Sequence, residues 1–200
     1  MTRRVLFAVM LSALAVPVLT AQQDAMARDA KSMEQKLTAL LQNGELPPGK
    51  AKPLRTTFTE NEINAYMVVS KDVELPVGVR DPRVTIDGGN HLSGRAVVDL
   101  DKVRLSKQRS VLDPMNLLLR GTVEVKAQGV LQTSNGKATF QVESASAGGV
   151  PIPKSVLQEL VYYYTKTPDH PNGYTLDTPF ELGWNIRAVE FARGSATIIQ

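Results

Sequence analysis

Cysteine is missing from this 200-residue chain, and histidine occurs only twice. The lack of cysteine excludes disulfide bonds, thiolate metal ligands and a cysteine nucleophile. His91 and His170 have no second histidine or cysteine at the spacing of zinc ligands, so the sequence gives no support to a metal site. We therefore expect stability to come from the apolar core, without covalent or metal cross-links.

Known catalytic motifs are missing as well. Ser195 follows a glycine but lacks the flanking pattern of a nucleophile elbow, and no P-loop or dinucleotide-binding glycine pattern occurs. Asp87 and Asp169 do not have the spacing of a calcium loop. Asp99 and Asp101 are explained more simply as a solvated strand face than as a catalytic pair of carboxylates. The sequence thus predicts a protein that is not an enzyme and has no catalytic residue, no metal and no cofactor.

Positive charge is only slightly in excess. Of the formal net charge of +3, Arg3 and Arg4 contribute two, which leaves +1 for the remainder of the chain. Nucleic-acid binding depends on concentrated positive charge. We therefore predict no nucleic-acid partner.

The N-terminus has the layout of a secretory signal peptide. Arg3 and Arg4 precede an apolar run from Val5 to Val16, which predicts a signal peptide over residues 1–21, or up to Ala27 with a later cleavage. An uncleaved anchor is the less favoured alternative, because even when extended to Ala21 the run is slightly short of the roughly 20 residues that span a bilayer. We expect an exported protein, in the bacterial periplasm or secreted.

Residues 22–53 are predicted to form a helix and a proline-rich linker. Apolar residues recur at helical spacing up to Gly44, and Glu45–Pro53 then carries three prolines, one glycine and two lysines. The helix is interpreted as an appendage to a single domain over residues 54–200. The apolar positions are Met26, Met33, Leu37, Leu40 and Leu41.

The domain is predicted to begin with a short strand, Leu54–Phe58, and a capped helix. Thr59 and Glu62 have the spacing of a capping box, in which each side chain bonds the backbone N–H of the other residue. The helix should continue to about Ser70, with Ile63, Tyr66 and Met67 on one face.

Alternating strands make up most of the remainder. Period-two patterns of apolar and polar residues indicate antiparallel strands with one wet face and one buried face. A helix should follow near Pro153. The predicted fold class is α+β, with a curved, half-barrel-like antiparallel sheet of about six strands packed on amphipathic helices. The predicted strand pairs are Val79–Asp87 with Leu92–Leu105, Val123–Leu131 with Ala138–Glu143 around the turn Asn135-Gly136, and Asn185–Ala192 with Ser195–Ile199.

Between the sheet and the helices, this arrangement leaves an elongated apolar groove. We expect its lining to come from the apolar faces of the two helices and of the central hairpin. The candidate lipid-binding residues are Ile63, Tyr66, Met67, Val123, Val125, Phe140, Val142, Leu157, Leu160, Val161 and Tyr164.

A basic run next to an apolar segment is a candidate membrane-docking surface. It consists of Lys102, Arg104, Lys107 and Arg109 and precedes the apolar stretch Met115–Leu118. Positive charge beside exposed apolar groups suits anionic lipid. The alternative interpretation is an ordinary solvated loop.

The capped segment Phe58–Tyr66, the long antiparallel strands, and Gly148–Pro153 leading into a helix resemble a known family. They are similar to exported bacterial lipid-binding domains of the tubular lipid-binding (TULIP) superfamily, including AsmA-like half-barrels. The resemblance covers about residues 54–200. It implies a curved sheet wrapped around a long helix with an acyl chain between them, and it implies no catalytic residue.

Two functions follow from these observations. The first is a periplasmic, non-enzymatic protein that binds or transfers a lipid or another long apolar ligand, with a membrane surface as a further partner. The second is a scaffold or assembly factor of the cell envelope that has a filled core and protein partners. A continuous apolar cavity would distinguish the first from the second.

Overall fold

The computed structural model describes residues 16–47, 49–105, 121–164, 171, 173 and 175–200, without the side chains of residues 16–20, 103–105, 160, 163 and 164. Within these residues the chain forms an open six-stranded antiparallel sheet and a separate three-stranded sheet. The predicted α+β class with an antiparallel sheet is therefore confirmed. Residues 1–15 of the predicted signal peptide, and His170, lie outside the described residues.

The elements are as follows. The helices are α1 (Val16–Gly44), α2 (Glu60–Val69), α3 (Leu100–Leu105) and α4 (Lys154–Tyr164). The strands are β1 (Arg55–Thr59), β2 (Val79–Gly88), β3 (His91–Asp99), β4 (Thr122–Ser134), β5 (Lys137–Ala147), β6 (Val150–Pro151), β7 (Phe180–Glu181), β8 (Ala188–Ala192) and β9 (Ser195–Ile199).

The large sheet has the strand order β2-β3-β4-β5-β6, and β7 also pairs with β5. The small sheet has the order β1-β9-β8. The expected number of about six strands in one sheet thus holds for the large sheet. The first and last predicted strands instead pair with each other, from Arg55 opposite Ile199 to Thr59 opposite Ser195.

Local turn chemistry explains the central hairpin. Asn135 and Gly136 both have positive φ, 51° and 78°, as a two-residue type I′ turn requires. The predicted hairpin is confirmed, with Ser134 opposite Lys137 at its end.

The predicted strand Leu92–Leu105 is too long by six residues. β3 ends at Asp99, and α3 begins at Leu100. The Oδ1 atom of Asp99 accepts a hydrogen bond from the Lys102 amide at 3.1 Å, which stabilises the first turn of this short helix. In the sequence, the alternation of apolar residues changes phase beyond Asp101 to Val103 and Leu105, two residues after the strand ends.

The best-buried core lies between α1 and the small sheet. Leu40 of α1, Phe58 of β1 and Ile186 before β8 pack together, and the first two are only 2% exposed. The interpretation of this helix as an appendage did not anticipate that packing. Partly buried residues around the cluster are Met33, Leu41, Ile63, Leu182, Val189 and Ile198.

The end of α1 is also fixed by polar contacts. Gln200 is buried, and its Nε2 atom donates to the carbonyls of Leu40 at 3.0 Å and Trp184 at 2.7 Å. A Cβ atom at Gly44 would lie 2.5 Å from the Cβ atom of Trp184. Only glycine therefore allows this close approach between the helix end and the turn before β8.

Glu62 joins α2 to α1. Thr59 and Glu62 form the predicted capping box, and the Glu62 carboxylate also accepts hydrogen bonds from the Lys36 ammonium at 2.7 Å and the Ser32 hydroxyl at 2.5 Å. Burial alone would raise the pKa of this carboxyl. The hydrogen bonds from Lys36, Ser32 and the Thr59 amide, together with the charge of Lys36, outweigh burial and lower its pKa to about 2.

α2 also covers the free edge of β2, an outer strand of the large sheet. The Asn64 side chain exchanges two hydrogen bonds of 2.8 Å with the backbone N–H and C=O of Val84. The Glu60 carboxylate accepts the amide of Ile86 at 2.9 Å. Side chains of α2 thus take the place of a further strand and protect this edge from pairing with another chain.

Because of Glu62, the free energy of unfolding should decrease at acidic pH. A carboxyl whose pKa is lower in the folded state stabilises the fold above its unfolded pKa, here 4.5, and loses that contribution as pH falls towards 2. The contribution is on the order of 3 kcal/mol. We expect Glu62→Gln to lower the free energy of unfolding at pH 7 and to flatten its decline between pH 5 and pH 2, measured by urea denaturation.

The control for this change is Glu34→Gln, which removes an exposed carboxylate of α1. It should keep the acid dependence of the wild type. An unchanged decline in Glu62→Gln would contradict the assigned role of Glu62.

Asn64→Ala should destabilise the protein by about 1–3 kcal/mol, because it leaves the half-buried N–H and C=O of Val84 without their Asn64 partners. Asn61→Ala is the matched control, since Asn61 lies on the same helix and is exposed. Thermal unfolding of both variants checks this expectation, and equal midpoints would contradict it.

Candidate functional site

One face of the large sheet is apolar. The four strand residues that were predicted to line the groove all belong to this face. Val125 lies opposite Ala96 on β3 and Ala147 on β5. Val142 lies opposite Gly129, and Phe140 opposite Leu131. Val123, two residues before Val125, shares its side of the sheet. Cross-strand register thus brings Val123, Val125, Phe140 and Val142 together.

This apolar face is not equally covered along its length. Ile86, near the turn between β2 and β3, is 2% exposed, and Ala138, near the turn between β4 and β5, is 1% exposed. At the other end Val98, Val123 and Val125 are only half-buried. Their side chains are branched and apolar, so the half-buried end retains apolar surface in contact with solvent.

The predicted groove residues of α2 do not join this surface as one set. Ile63 packs against the core cluster beside the small sheet. Tyr66 lines a pocket of about 430 Å³ between α1 and the end of α2, together with Ala27, Glu34 and Lys71. Met67 is half-buried. The reason is that α2 lies between α1 and the edge of β2, so its apolar stripe is divided between two neighbours.

The helix α4 is joined to β5 through the segment of residues 175–177. Gln158 accepts the Leu176 amide at 2.7 Å, Lys154 pairs with Asp177, and the Asp177 amide donates to the carbonyl of Phe140 at 3.2 Å. The candidate residues Leu157 and Val161 are half-buried. The side chains of Leu160 and Tyr164, also candidates, lie outside what the structure describes.

One member of the predicted membrane-docking surface can be placed in full. Lys102 lies on α3, its side chain is 65% exposed, and its Nζ atom is 3.9 Å from Asp99. Lys107 and Arg109, and the side chain of Arg104, lie outside the described residues. The basic segment therefore begins on a helix rather than at the edge of a strand.

The opposite, polar face of the large sheet contains a pocket of about 260 Å³. It is centred on β3 and β4 and reaches onto β2 and β5. Three of its lining residues are basic, namely Arg83, Arg95 and Lys126. The other lining residues are Thr85, Ser93, Gly94, Ala127, Gln128, Ser144 and Ser146.

Glu124 is the carboxylate paired with two of these cations. Its carboxyl oxygens lie 2.7 Å from Lys126 and 3.4 Å from Arg95. The hydrogen bond from Lys126 is the main cause that lowers its pKa below the usual value. Arg83 forms no side-chain hydrogen bond or ion pair within the described part of the chain.

Sequence reasoning missed this basic pocket. Arg83, Arg95 and Lys126 each occupy an exposed position of a different strand, where a single charge is unremarkable. The sequence did contain one indication of the pocket, because a basic residue recurs on the solvent-exposed face of three successive strands. Only strand register shows that the three are neighbours.

The chain matches no protein-family model and no curated protein. Among the described residues, no helix is long and apolar enough to cross a membrane. Nor do those residues include a group of three or more histidine, aspartate or glutamate side chains that could hold a metal ion.

Gly129 determines how the Phe140 ring lies on the apolar face. A Cβ atom at Gly129 would lie 2.9 Å from Cζ of Phe140 and 2.3 Å from the carbonyl oxygen of Gln141. We expect Gly129→Ala to destabilise the protein by roughly 1–3 kcal/mol, because backbone and ring must shift. Gly94→Ala is the control, since its nearest non-local atom would be 3.8 Å away. Urea denaturation would contradict this expectation if both variants had wild-type stability.

Proposed function

We propose that this protein binds a long apolar ligand, such as a lipid acyl chain, on the apolar face of its large sheet and without catalysis. The observation that carries the proposal is the half-buried end of that face. Val98, Val123 and Val125 form neighbouring apolar positions on two strands, and none of the three is fully buried. A ligand lying along them would remove this surface from water.

The chemistry of the face suits a chain that is held by area rather than by polar contacts. Each buried methylene contributes roughly 0.8 kcal/mol, so a ligand of ten or more methylenes needs no charged anchor. Small residues next to the valines, Ala96 and Ala147 among them, keep the surface low enough for a chain to lie flat. The sheet is open, which allows a ligand to enter from the side.

The proposed place of action is the bacterial periplasm or the cell exterior, in keeping with the N-terminal signal-like segment. There the protein would hold or carry a lipid, and the basic residues at and beyond Lys102 would bring it to an anionic membrane surface. The proposal includes the resemblance to the tubular lipid-binding superfamily.

An envelope scaffold is the second candidate, and one observation favours it. Val68 and Val69 at the end of α2, and Leu75 and Val77 in the connection to β2, are exposed apolar residues. Exposed apolar side chains that lie close together are typical of a protein-binding surface. This second function would be supported if the purified protein contained no lipid and took none up.

The experiment is native mass spectrometry of the protein exported by a bacterium, combined with extraction of the same sample for lipid analysis. We expect a stoichiometric apolar ligand. Val125→Glu should reduce the bound fraction by at least tenfold, because an ionised side chain is costly to cover with a hydrocarbon. The half-buried position of Val125 should let the variant fold.

Gln132→Glu is the matched control, because it places the same charge on the same strand at an exposed position. It should keep the ligand. Val125→Ser serves as a milder variant if circular dichroism shows that Val125→Glu does not fold. A ligand-free protein that also takes up no lipid from envelope extracts would refute the proposal and favour the scaffold.

A further inference from the structure

Three positive charges lie side by side on the polar face of the large sheet. Arg83 on β2 is directly opposite Arg95 on β3, and Arg95 is directly opposite Lys126 on β4. Directly opposed residues have Cβ atoms about 4.5–5.5 Å apart, and like charges in such positions are destabilising. This set, the cationic row, therefore favours a negative group between its members.

The protein itself supplies only part of that negative charge. Glu124 contacts Arg95 and Lys126, while Arg83 forms no ion pair among the described residues. The Ser93 hydroxyl donates to the carboxylate of Asp87 at 3.4 Å, so a second carboxylate lies beside the pocket. Three cations next to two carboxylates leave one positive charge in excess. The side chains of Arg95 and Lys126 are 53% and 59% exposed, so a solute can reach them.

A second row of neutral hydrogen-bonding groups runs parallel to the first. Thr85, Ser93, Gln128 and Ser144 lie opposite one another in succession across four strands. On β2, β3 and β4, each residue of this second row lies two positions from the cationic residue of the same strand. On β5, Ser144 lies two positions from Ser146, which is opposite Lys126. Two positions correspond to about 7 Å along a strand. Hydroxyl and amide groups both donate and accept hydrogen bonds. The Ser93 hydroxyl already donates to Asp87 at 3.4 Å, so towards a ligand it acts as an acceptor. We call this set the neutral row, and the two rows together line the pocket of about 260 Å³.

Strand irregularities lie on both sides of the pocket. The pairing of β2 with β3 shifts between Arg80 and Arg83, where Asp81 has a φ of 49°. The pairing of β4 with β5 shifts between Gln128 and Gly129. Bulges of this kind bend a strand and redirect its side chains, and they are frequent beside binding sites.

We propose that this pocket binds the phosphate ester of a small polyol or sugar. The cationic row would hold the phosphate, since guanidinium groups match phosphate oxygens with paired, charge-assisted hydrogen bonds. The neutral row would bind the hydroxyl groups of the ester. The site lies on the opposite face of the sheet from the proposed apolar site, and it does not depend on that function.

Isothermal titration calorimetry of the full chain tests the assignment, with glycerol 3-phosphate, inorganic phosphate and glycerol as titrants. We expect saturable binding of glycerol 3-phosphate, weaker binding of inorganic phosphate and none of glycerol. Lys126→Gln should weaken the binding of glycerol 3-phosphate by roughly tenfold or more, as loss of a charged hydrogen bond predicts.

Lys137→Gln is the control for Lys126→Gln. Both lysines lie on strands of the same sheet, both pair with a glutamate, and their side chains are 60% and 59% exposed. Arg83→Gln is a second test, because no partner in the described chain is lost with that guanidinium. It should weaken binding without lowering the unfolding midpoint, whereas a purely structural arginine would lower it.

The phosphate ester could be a soluble metabolite or the headgroup of a lipid. Titration with a soluble lipid, dihexanoyl phosphatidic acid, distinguishes the two. Binding tighter than that of glycerol 3-phosphate would identify a lipid headgroup, and equal or weaker binding a soluble ester. The proposal is overturned if glycerol 3-phosphate does not bind at millimolar concentration. It is equally overturned if Lys126→Gln and Lys137→Gln weaken binding to the same extent.

Discussion

The placement of α2 is the constraint on which the rest of this structure depends. This helix follows β1 without any linking residue, because Thr59 is both the last residue of the strand and the N-cap of the helix. From there Glu62 bonds to α1, while Glu60 and Asn64 bond to the edge of β2. One short helix therefore links the small sheet, the long helix and the large sheet. Without these polar contacts, the free edge of β2 would present unpaired backbone groups to other chains.

A second connection to the large sheet is made by the hydroxyl of Thr133, near the end of β4. It accepts the Val189 amide at 2.8 Å and donates to the Val189 carbonyl at 2.9 Å. The Gly136 amide donates to the carbonyl of Arg187 at 2.8 Å. The hairpin end of the large sheet is thereby fixed to β8, which explains why apolar residues are best buried there. Away from these contacts, at Val98, Val123 and Val125, the residues of the apolar face are only half-buried.

The two faces suit different chemistry because strand side chains alternate. On β4, Val125 belongs to the apolar face, and Lys126 to the polar face. The proposed sites for an apolar chain and for a phosphate ester are thus separated by the thickness of one sheet. Substitutions on one face should leave the other nearly unaffected.

Much of the secondary structure was predictable from the sequence, whereas the site was predictable only in part. The turn at Asn135-Gly136 and the capping box of Thr59 and Glu62 were predicted at the correct residues. The candidate residues Val123, Val125, Phe140 and Val142 share a face as their alternation indicated. The residues of α2 were predicted as one groove-lining stripe, but Ile63 faces the small-sheet core and Tyr66 a pocket beside α1. A helix pattern shows that a face is apolar, but it does not show which neighbour covers that face.

The sequence by itself determined the features whose energies arise within a few residues. A two-residue turn, a helix cap and strand alternation are of this kind, because their partners are close along the chain. Tertiary structure alone decided the contacts between distant segments. Gln200 bonds to the Leu40 carbonyl across 160 residues, and Arg83, Arg95 and Lys126 become neighbours only through strand register. The register of strands that no tight turn joins, and the docking of helices, depend on the packing of the whole molecule, so no local pattern encodes them.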